Sequence, residues 1–401
     1  MSEQRTYYLV SLGCPKNTVD SESMGILLDE AGHQSVGAPD EADLLIVNTC
    51  GFIQPARDEA IEVLSDLSRK KRSNQQLIAA GCYAQLYPDE LSRVVPGLDG
   101  LIGTRRWMDI VQVSAHVEHR SPAPAGSEKP ICHLPETPVV GQDVPGLPRT
   151  AIQGTSAYLK LADGCRRSCA FCAIPLIKGT AVSRTPESIL ADAQWLAEIG
   201  TQEIILIAQD TTGYGEDLGM KDGLSDLLEK LVEVVPEVPW IRIMYGLPGP
   251  KVERLAQVMA AHHPPILPYL DIPLQHAHPD TLRRMRRPAD VGATRGMIRS
   301  LRALMPDIAI RTTFITGFPG ETDDEFAALV DFVKGMAFDR VGVFTYYREV
   351  GTPGADLDDD VPQSVKEARR DRLMDIQQAI SLAKNQSFVG HTLDVLIEGQ
   401  G

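Results

Sequence analysis

Three short apolar runs in the first hundred residues each end on a cysteine: "LVSLGC" closes at Cys14, "LIVNTC" at Cys50 and "LIAAGC" at Cys82. Runs this short, without a helical period, predict strands buried on both faces. Between them lie polar, helix-compatible stretches such as "QPARDEAIEVLSDLSRKKR". Strands that alternate with helices build parallel βαβ units, so this region is predicted to be a doubly wound parallel α/β domain. Its strands are "YYLVSLG", "ADLLIVNT", "QLIAAG" and "GLIG". The carboxyl ends of parallel strands share one edge of the sheet, where α/β folds bind ligands. Cys14, Cys50 and Cys82 are therefore predicted to converge. Buried free cysteines can pack as small hydrophobes, but packing alone does not explain three repeats of one placement.

Residues 119–150 break the pattern with prolines and glycines and read as a linker. Cys132 lies in this stretch, follows no apolar run, and is expected to be a free surface thiol without a role. A second α/β series follows, with candidate strands "SAYLKLADG", "EIILIAQD", "WIRIMYG", "YLDIPLQ", "IAIRTTFITG" and "RVGVFTYYRE". Helix start signals punctuate it: Thr185 before Pro186, and Thr322 with Glu325 three positions on. Six βα repeats are two short of a closed eight-stranded barrel, so a partial, laterally open (βα)6 TIM-like barrel is expected, with its chemistry at the strands' carboxyl ends. A last helix over about 362–385 leads into "HTLDVLIEGQG", which alternates like a strand. A lone strand has no ladder partner, and 386–401 is read as the start of a further small β domain. The expected organisation is 5–118, 119–150, 151–385 and 386–401.

Seven cysteines, an odd number, argue against a disulfide framework and for metal or thiol chemistry in a cytosolic setting. No segment approaches the roughly 18 uninterrupted apolar residues of a membrane span, so no membrane partner is expected. A net charge of −15 disfavours extensive nucleic-acid binding. The basic run "RRMRRP", Arg283 to Pro288, reads as a solvated helix end. No carboxylate pair and no Ser-His-Asp arrangement stands at convincing spacing.

The stretch "GCRRSCAFCAIPLIKG" places Cys165, Cys169 and Cys172 at C-x3-C-x2-C spacing directly after the first barrel strand. Zinc would require a fourth thiolate or imidazole, and no Cys or His occurs between 173 and 200. Three thiolates on a four-iron cube leave one iron open to a small molecule. With Phe171 before the last cysteine, the motif resembles the cluster loop of the radical S-adenosylmethionine (SAM) enzymes. That resemblance implies that SAM chelates the open iron. An electron from the cluster then cleaves SAM to a 5'-deoxyadenosyl radical, which abstracts hydrogen from an unactivated C–H bond. It also places Arg184, Gln209 and Gln275 around SAM. By itself "GFPGET" reads as a strand-to-helix turn with a capped helix.

An N-terminal α/β domain with a second three-cysteine site, followed by a radical SAM barrel, is similar to the methylthiotransferases. The strings that carry this likeness are "SLGCPKNTVDSE", "NTCGFI", "AGCYAQ", "YLDIPLQH", "TGFPGET" and "DRVGVFTYYREVGT". Together they cover nearly the whole chain except the linker. They are most like the branch that modifies an aspartate, at its β-carbon, in ribosomal protein S-twelve of the small subunit. The resemblance implies two 4Fe-4S clusters, one on Cys14, Cys50 and Cys82 and one, binding SAM, on Cys165, Cys169 and Cys172. The clusters are implied to face a shared substrate channel, one making the radical and the other presenting sulfur, while a further SAM supplies the methyl group. A sulfur source and an electron donor of the flavodoxin type are implied as partners. The family ordinarily closes with a β-barrel called TRAM, of which only the first strand is expected here. Lys178 stands where relatives often have arginine, and Arg166 and Ser168 vary within the cluster loop. Two alternatives stay open: the sister enzyme acting on isopentenyladenosine of transfer RNA, and a non-catalytic iron-sulfur scaffold or electron carrier.

Overall fold

The computed structural model describes residues 5–118, 129–134, 144 and 146–397. The chain divides into two compact units: Met1–Ala151 with Asp163–Arg166 and Ile174–Val182, and Ile152–Ala162 with Arg167–Ala173 and Ser183–Gly401.

The first unit is built on strands β1 (Thr6–Ser11), β2 (Gln34–Ser35), β3 (Leu44–Thr49), β4 (Gln76–Gly81), β5 (Gly100–Gly103) and β6 (Ile131–His133), in spatial order β2-β1-β3-β4-β5-β6. Every pairing is parallel. Strand β3 shows why its first four residues, Leu44 to Val47, are all apolar. Leu45 and Val47 join Leu64, Leu77 and Leu91 in one core, while Leu44 and Ile46 join Met24, Leu28 and Trp107 in another. Side chains alternate across a strand, so a sheet covered on both faces needs apolar residues at odd and even positions alike. Helix Gln54–Lys70 covers the first face, and helices Pro15–Glu30 and Ile110–Glu118 supply the second. Each such leucine or isoleucine contributes about 1.5–3 kcal/mol on full burial. Register aligns the strand ends: Ser11 pairs with Asn48, Asn48 with Ala80, and Thr49 with Gly81.

Cys132 is an exposed thiol, as expected, but it lies inside β6, paired with Leu101, and not in a strandless linker. A three-residue edge strand after Pro130 carries too little pattern to be seen in sequence. The rest of the expected linker, 119–128, 135–143 and 145, lies outside the described residues.

Strand β8 (Ser156–Lys160) lies in the second unit, while β7 (Thr150–Gln153) and the short strands β9 (Ala162–Asp163) and β10 (Val182–Ser183) each run across a boundary of the two units' segments. Then come β11 (Glu203–Ile207), β12 (Trp240–Ile243), β13 (Ile266–Asp271), β14 (Ala309–Thr316) and β15 (Arg340–Thr345). The large sheet runs β15-β14-β13-β12-β11-β8-β7, so six parallel strands follow one another in chain order. Ile310, Thr312, Phe314 and Thr316 bury one face of β14, where Phe314 packs edge-on against Phe332 and Phe338 at 6.4 and 6.1 Å. The alternate face is polar: Arg311 pairs with Asp271 at 3.3 Å, and Arg242 pairs with Glu203 at 2.6 Å while stacking on Tyr269.

Both helix start signals operate as expected. Thr185 caps Pro186–Glu198 by accepting from the Ser188 N–H, and Thr322 and Glu325 complete a reciprocal capping box on Asp323–Met336. The last helix runs Gln363–Ser387, but among the described residues of the alternating tail, 391–397, no strand forms. Leu393, Val395 and Ile397 are exposed, and one bond from Thr155 Oγ1 to the Ile397 carbonyl, at 3.1 Å, is no ladder. Period-two patterning specifies a strand only where a neighbour supplies backbone partners. Among the described residues no helix is long and apolar enough to cross a membrane.

Candidate active site

In the first unit the three cysteines lie at successive strand ends. Cys14 caps helix Pro15–Glu30, with its carbonyl accepting from the N–H of Asn17 at 2.8 Å. Cys50 follows β3, and Cys82 opens helix Cys82–Leu86 after β4. Gly13 makes the approach possible: its φ is +93°, and a Cβ there would lie 2.6 Å from Cys50 Cβ. Asn17 ties the three ends together. Its amide donates to the Leu12 and Thr49 carbonyls at 3.0 and 3.1 Å, and its oxygen is 3.6 Å from Cys82 Sγ. Asn48 in turn donates to the Asn17 carbonyl and to Ser21.

The thiols influence one another. Burial, reinforced by the charges of Cys50 and Cys14 and opposed by Lys178, pushes Cys82 up to about 12. Burial and the Cys14 charge also raise Cys50. Burial would raise Cys14 as well, but Lys16, the Asn17 N–H and Lys178 bring it below the ordinary thiol value. Burial and mutual repulsion thus make Cys50 and Cys82 harder to ionise than Cys14.

Lys178 belongs to a network that sequence reading missed. Its ammonium is 3.1 Å from Asp20 and 3.0 Å from Asp163, and Arg149 reaches the same carboxylates at 2.6 and 3.5 Å. All four side chains are essentially buried. Burial would lower the Lys178 pKa, but Asp163 and Asp20 more than offset this and hold it well above the usual lysine range. Arg149 also stacks on Trp107 at 4.3 Å, and Arg105 grips the carbonyls of Leu176 and Ile177. The chain around Cys165 is pinned too: the Cys165 N–H donates to the Gly179 carbonyl at 3.1 Å, and Gly164, at φ +73°, abuts the Thr180 carbonyl.

Cys169 and Cys172, in the second unit, form one tight turn in which the Cys172 N–H donates to the Cys169 carbonyl at 3.1 Å. Ala170 between them is held from both sides, donating to the Met285 carbonyl at 2.9 Å and accepting from the Gly354 N–H at 2.6 Å. Ala170, Met285, Phe318 and Tyr346 form a small apolar cluster with Phe171 against it. The run Arg283–Pro288 is therefore not simply a solvated helix end. Arg283 and Arg286 are exposed, but Arg284 binds Glu325 and the Pro319 and Gly320 carbonyls, while Arg287 is buried. Helix Pro279–Arg284 ends within the run and Arg286 turns the chain at φ +55°, so exposure differs from one arginine to the next, which a charge count cannot reveal.

Of the residues expected around SAM, Gln209 is half-buried just beyond β11. Gln275 follows β13 at φ +71°, and its side-chain oxygen is buried without a hydrogen bond. Arg184 is engaged, with its guanidinium 2.9 Å from Asp192 and donating to the Lys160 carbonyl at 3.0 Å. His276, its Nε2 3.3 Å from Glu321, is part of a buried group in which Glu321 also binds Arg369 and the Gly317 N–H. His278, Asp280 and Glu325 bring ligand atoms within 4.8 Å of one another. Arg284 already neutralises Glu325 there.

Residues 6–103 match the uncharacterized protein family UPF0004, and residues 159–333 match the radical SAM superfamily. The radical S-adenosylmethionine methyltransferase TsrM of Kitasatospora setae superposes with a TM-score of 0.65 at 16% identity, covering 88% of this chain and 77% of its own. OxsB, a cobalamin-dependent S-adenosylmethionine radical enzyme, superposes with a TM-score of 0.57 at 13% identity, covering 95% and 56%. The parallel α/β architecture and the superfamily match define a radical SAM enzyme, and the superfamily uses SAM and a 4Fe-4S cluster. Two curated relatives narrow the class, both described as ribosomal protein uS12 methylthiotransferase RimO. That of Roseiflexus sp. (strain RS-1) is 49% identical over 98% of this chain and 86% of its own length. That of Chloroflexus aurantiacus is 50% identical over 98% and 88%. The chain belongs to the RimO family of radical SAM methylthiotransferases.

Proposed function

We propose that this enzyme inserts sulfur and a methyl group at the β-carbon of an aspartate side chain in ribosomal protein uS12. The observation that carries this reading is the convergence of Cys14, Cys50 and Cys82 on the Asn17 side of the first sheet, in a chain that also holds the C-x3-C-x2-C loop. Three thiols in each set fit a 4Fe-4S cube with one iron left for an exogenous ligand. Cys165, Cys169 and Cys172 would hold the SAM-binding cluster, which when reduced supplies the electron that cleaves SAM. Cys14, Cys50 and Cys82 would hold a second cluster that presents sulfur.

This chain's own residues would bind, orient and shield. The buried, unbonded Gln275 oxygen is an acceptor suited to the amino group of SAM, with Gln209 and Arg184 as further SAM contacts. The Ala170 clamp fixes the Cys169–Cys172 turn, and the Phe318–Tyr346 pair, 5.0 Å between ring centroids, excludes water behind it. A sulfur source and a one-electron donor of the flavodoxin type complete the reaction. The net charge of −15 favours a basic ribosomal protein over an RNA as substrate.

Mass spectrometry of uS12 and of transfer RNA from cells lacking this enzyme tests the reading. The expected result is loss of the methylthio group from uS12 with transfer RNA unchanged. A methylthio group lost from RNA alone would assign the sister activity, and no change in either would favour a scaffold or carrier.

A further inference from the structure

We propose that Arg287 sets the reduction potential of the SAM-binding cluster by donating an N–H to the sulfur of Cys169. The inference rests on Cys169 being a cluster ligand, as proposed above. Arg287 is buried, with 8% of the residue exposed. One terminal nitrogen is anchored on the Pro273 carbonyl at 2.6 Å, and the other lies 3.7 Å from Cys169 Sγ, a hydrogen-bond distance for sulfur. Its Nε is buried without a partner. Among the described residues no carboxylate pairs with it, whereas the inward-facing Arg284 has Glu325, and buried Arg149 has Asp20 and Asp163. A buried cation without a counter-charge is strongly destabilising, so such groups are paired or serve another purpose. Among the described residues, the anion-forming group this guanidinium touches is the Cys169 sulfur.

A cube with a 2+ core and three thiolates carries one net negative charge, and a second after one-electron reduction. A fixed cation and an N–H aimed at a ligand sulfur favour the more negative state, so they raise the potential. Arg287 is thus a positioning residue of the electronic kind: it does not touch substrate, but it makes the cluster easier to reduce. The segment that carries it also carries Met285, whose carbonyl holds Ala170. One loop therefore fixes the geometry of the cysteine turn and supplies its charge.

The experiment is a redox titration of the reconstituted enzyme without SAM, poised with mediator dyes and dithionite and read by the electron paramagnetic resonance of the reduced cluster. In Arg287→Met the ratio of reduced to oxidised cluster at a fixed potential is expected to fall by at least about tenfold, equivalent to ~59 mV for a one-electron couple. Arg287→Lys, which keeps the charge, is expected to lose less. A methionine variant with full iron content and an unchanged potential overturns the proposal.

If that variant fails to fold or load, wild-type protein carrying 15N-guanidino arginine gives an independent answer by pulsed electron-nuclear double resonance. A 15N coupling to the reduced cluster that disappears in Arg287→Lys supports the assignment. No coupling, or one that persists in the lysine variant, overturns it. Failure of the underlying ligand assignment is separable, because it would appear as unchanged iron content and signal in Cys169→Ala.

Discussion

The two cysteine trios reach the same donor count by opposite routes. Cys14, Cys50 and Cys82 come one from each of three adjacent strand ends, so their site exists only once β1, β3 and β4 are paired in register. Because side chains alternate, a one-residue slip would turn the residues before each cysteine to the wrong face. Cys165, Cys169 and Cys172 come from a single loop of eight residues, held by pins from other segments: Gly179 for Cys165, and Met285 and Gly354 for the turn at Ala170. The trio assembled by topology is braced by Asn17 and Asn48 at the strand ends themselves, and the trio assembled by spacing is braced from elsewhere in the chain.

The largest expected effect separates the two sites outright. Anaerobically reconstituted enzyme is expected to hold about eight irons in two 4Fe-4S clusters. Cys50→Ala and Cys169→Ala should each retain about four. SAM cleavage should fall to background in Cys169→Ala and persist in Cys50→Ala, which should lose sulfur transfer instead. Equal loss of cleavage in both variants would break the division of labour. A wild-type maximum near four irons would remove the second cluster.

A smaller effect probes the bracing. Lys178, on the chain just after the cysteine loop, is held by Asp20 of helix Pro15–Glu30 and by Asp163. Removing one partner from a buried charge network leaves carboxylates partly uncompensated and costs about 3–5 kcal/mol. Lys178→Met is accordingly expected to shift denaturant unfolding of the cluster-free protein by that amount, with Lys178→Arg much milder. A methionine variant within about 0.5 kcal/mol of wild type, the range of an ordinary surface change, would show that the network does not brace this segment.

Legibility in the sequence followed the same line between local and assembled features. The strands were readable because runs such as the "LLIV" of β3 must be apolar at successive positions to be buried on both faces. The capping box was readable because Thr322 and Glu325 are three residues apart. The edge strands β2, β6 and β7, of two to four residues, carried too few positions for a period to show. The placement of Cys14, Cys50 and Cys82 at strand ends, and of Cys165, Cys169 and Cys172 in one loop, was readable by residue type and spacing. Their supports were not: Asn17, Asp20, Arg149 and Asp163 become neighbours only after folding, and buried Arg287 could not be told from exposed Arg286 beside it.

The smallest effect uses pH to distinguish the two sets of pins. Glu325 completes the capping box and accepts from Arg284, the residue before Met285. Burial would raise its carboxyl, but the bonds from Arg284 and the Thr322 N–H bring it below the ordinary glutamate value. A depressed folded pKa contributes stability that is fully present above the unfolded value and lost as pH falls through the folded one. Lys178 has the opposite sign. Its raised pKa contributes stability that is fully present below the ordinary lysine value and lost only in strong alkali. Acidification from pH 6 toward 3 should therefore loosen the clamp at Ala170. Hydrogen exchange of the cluster-free protein is expected to show deprotection of Asp323–Met336 over this range. Glu325→Gln, which keeps the shape without the titration, should reduce that acid sensitivity by about 1 kcal/mol, the scale of one cap. An identical acid response in the glutamine variant would mean that other carboxylates of the second unit govern the turn, and that the two sites do not differ in this way.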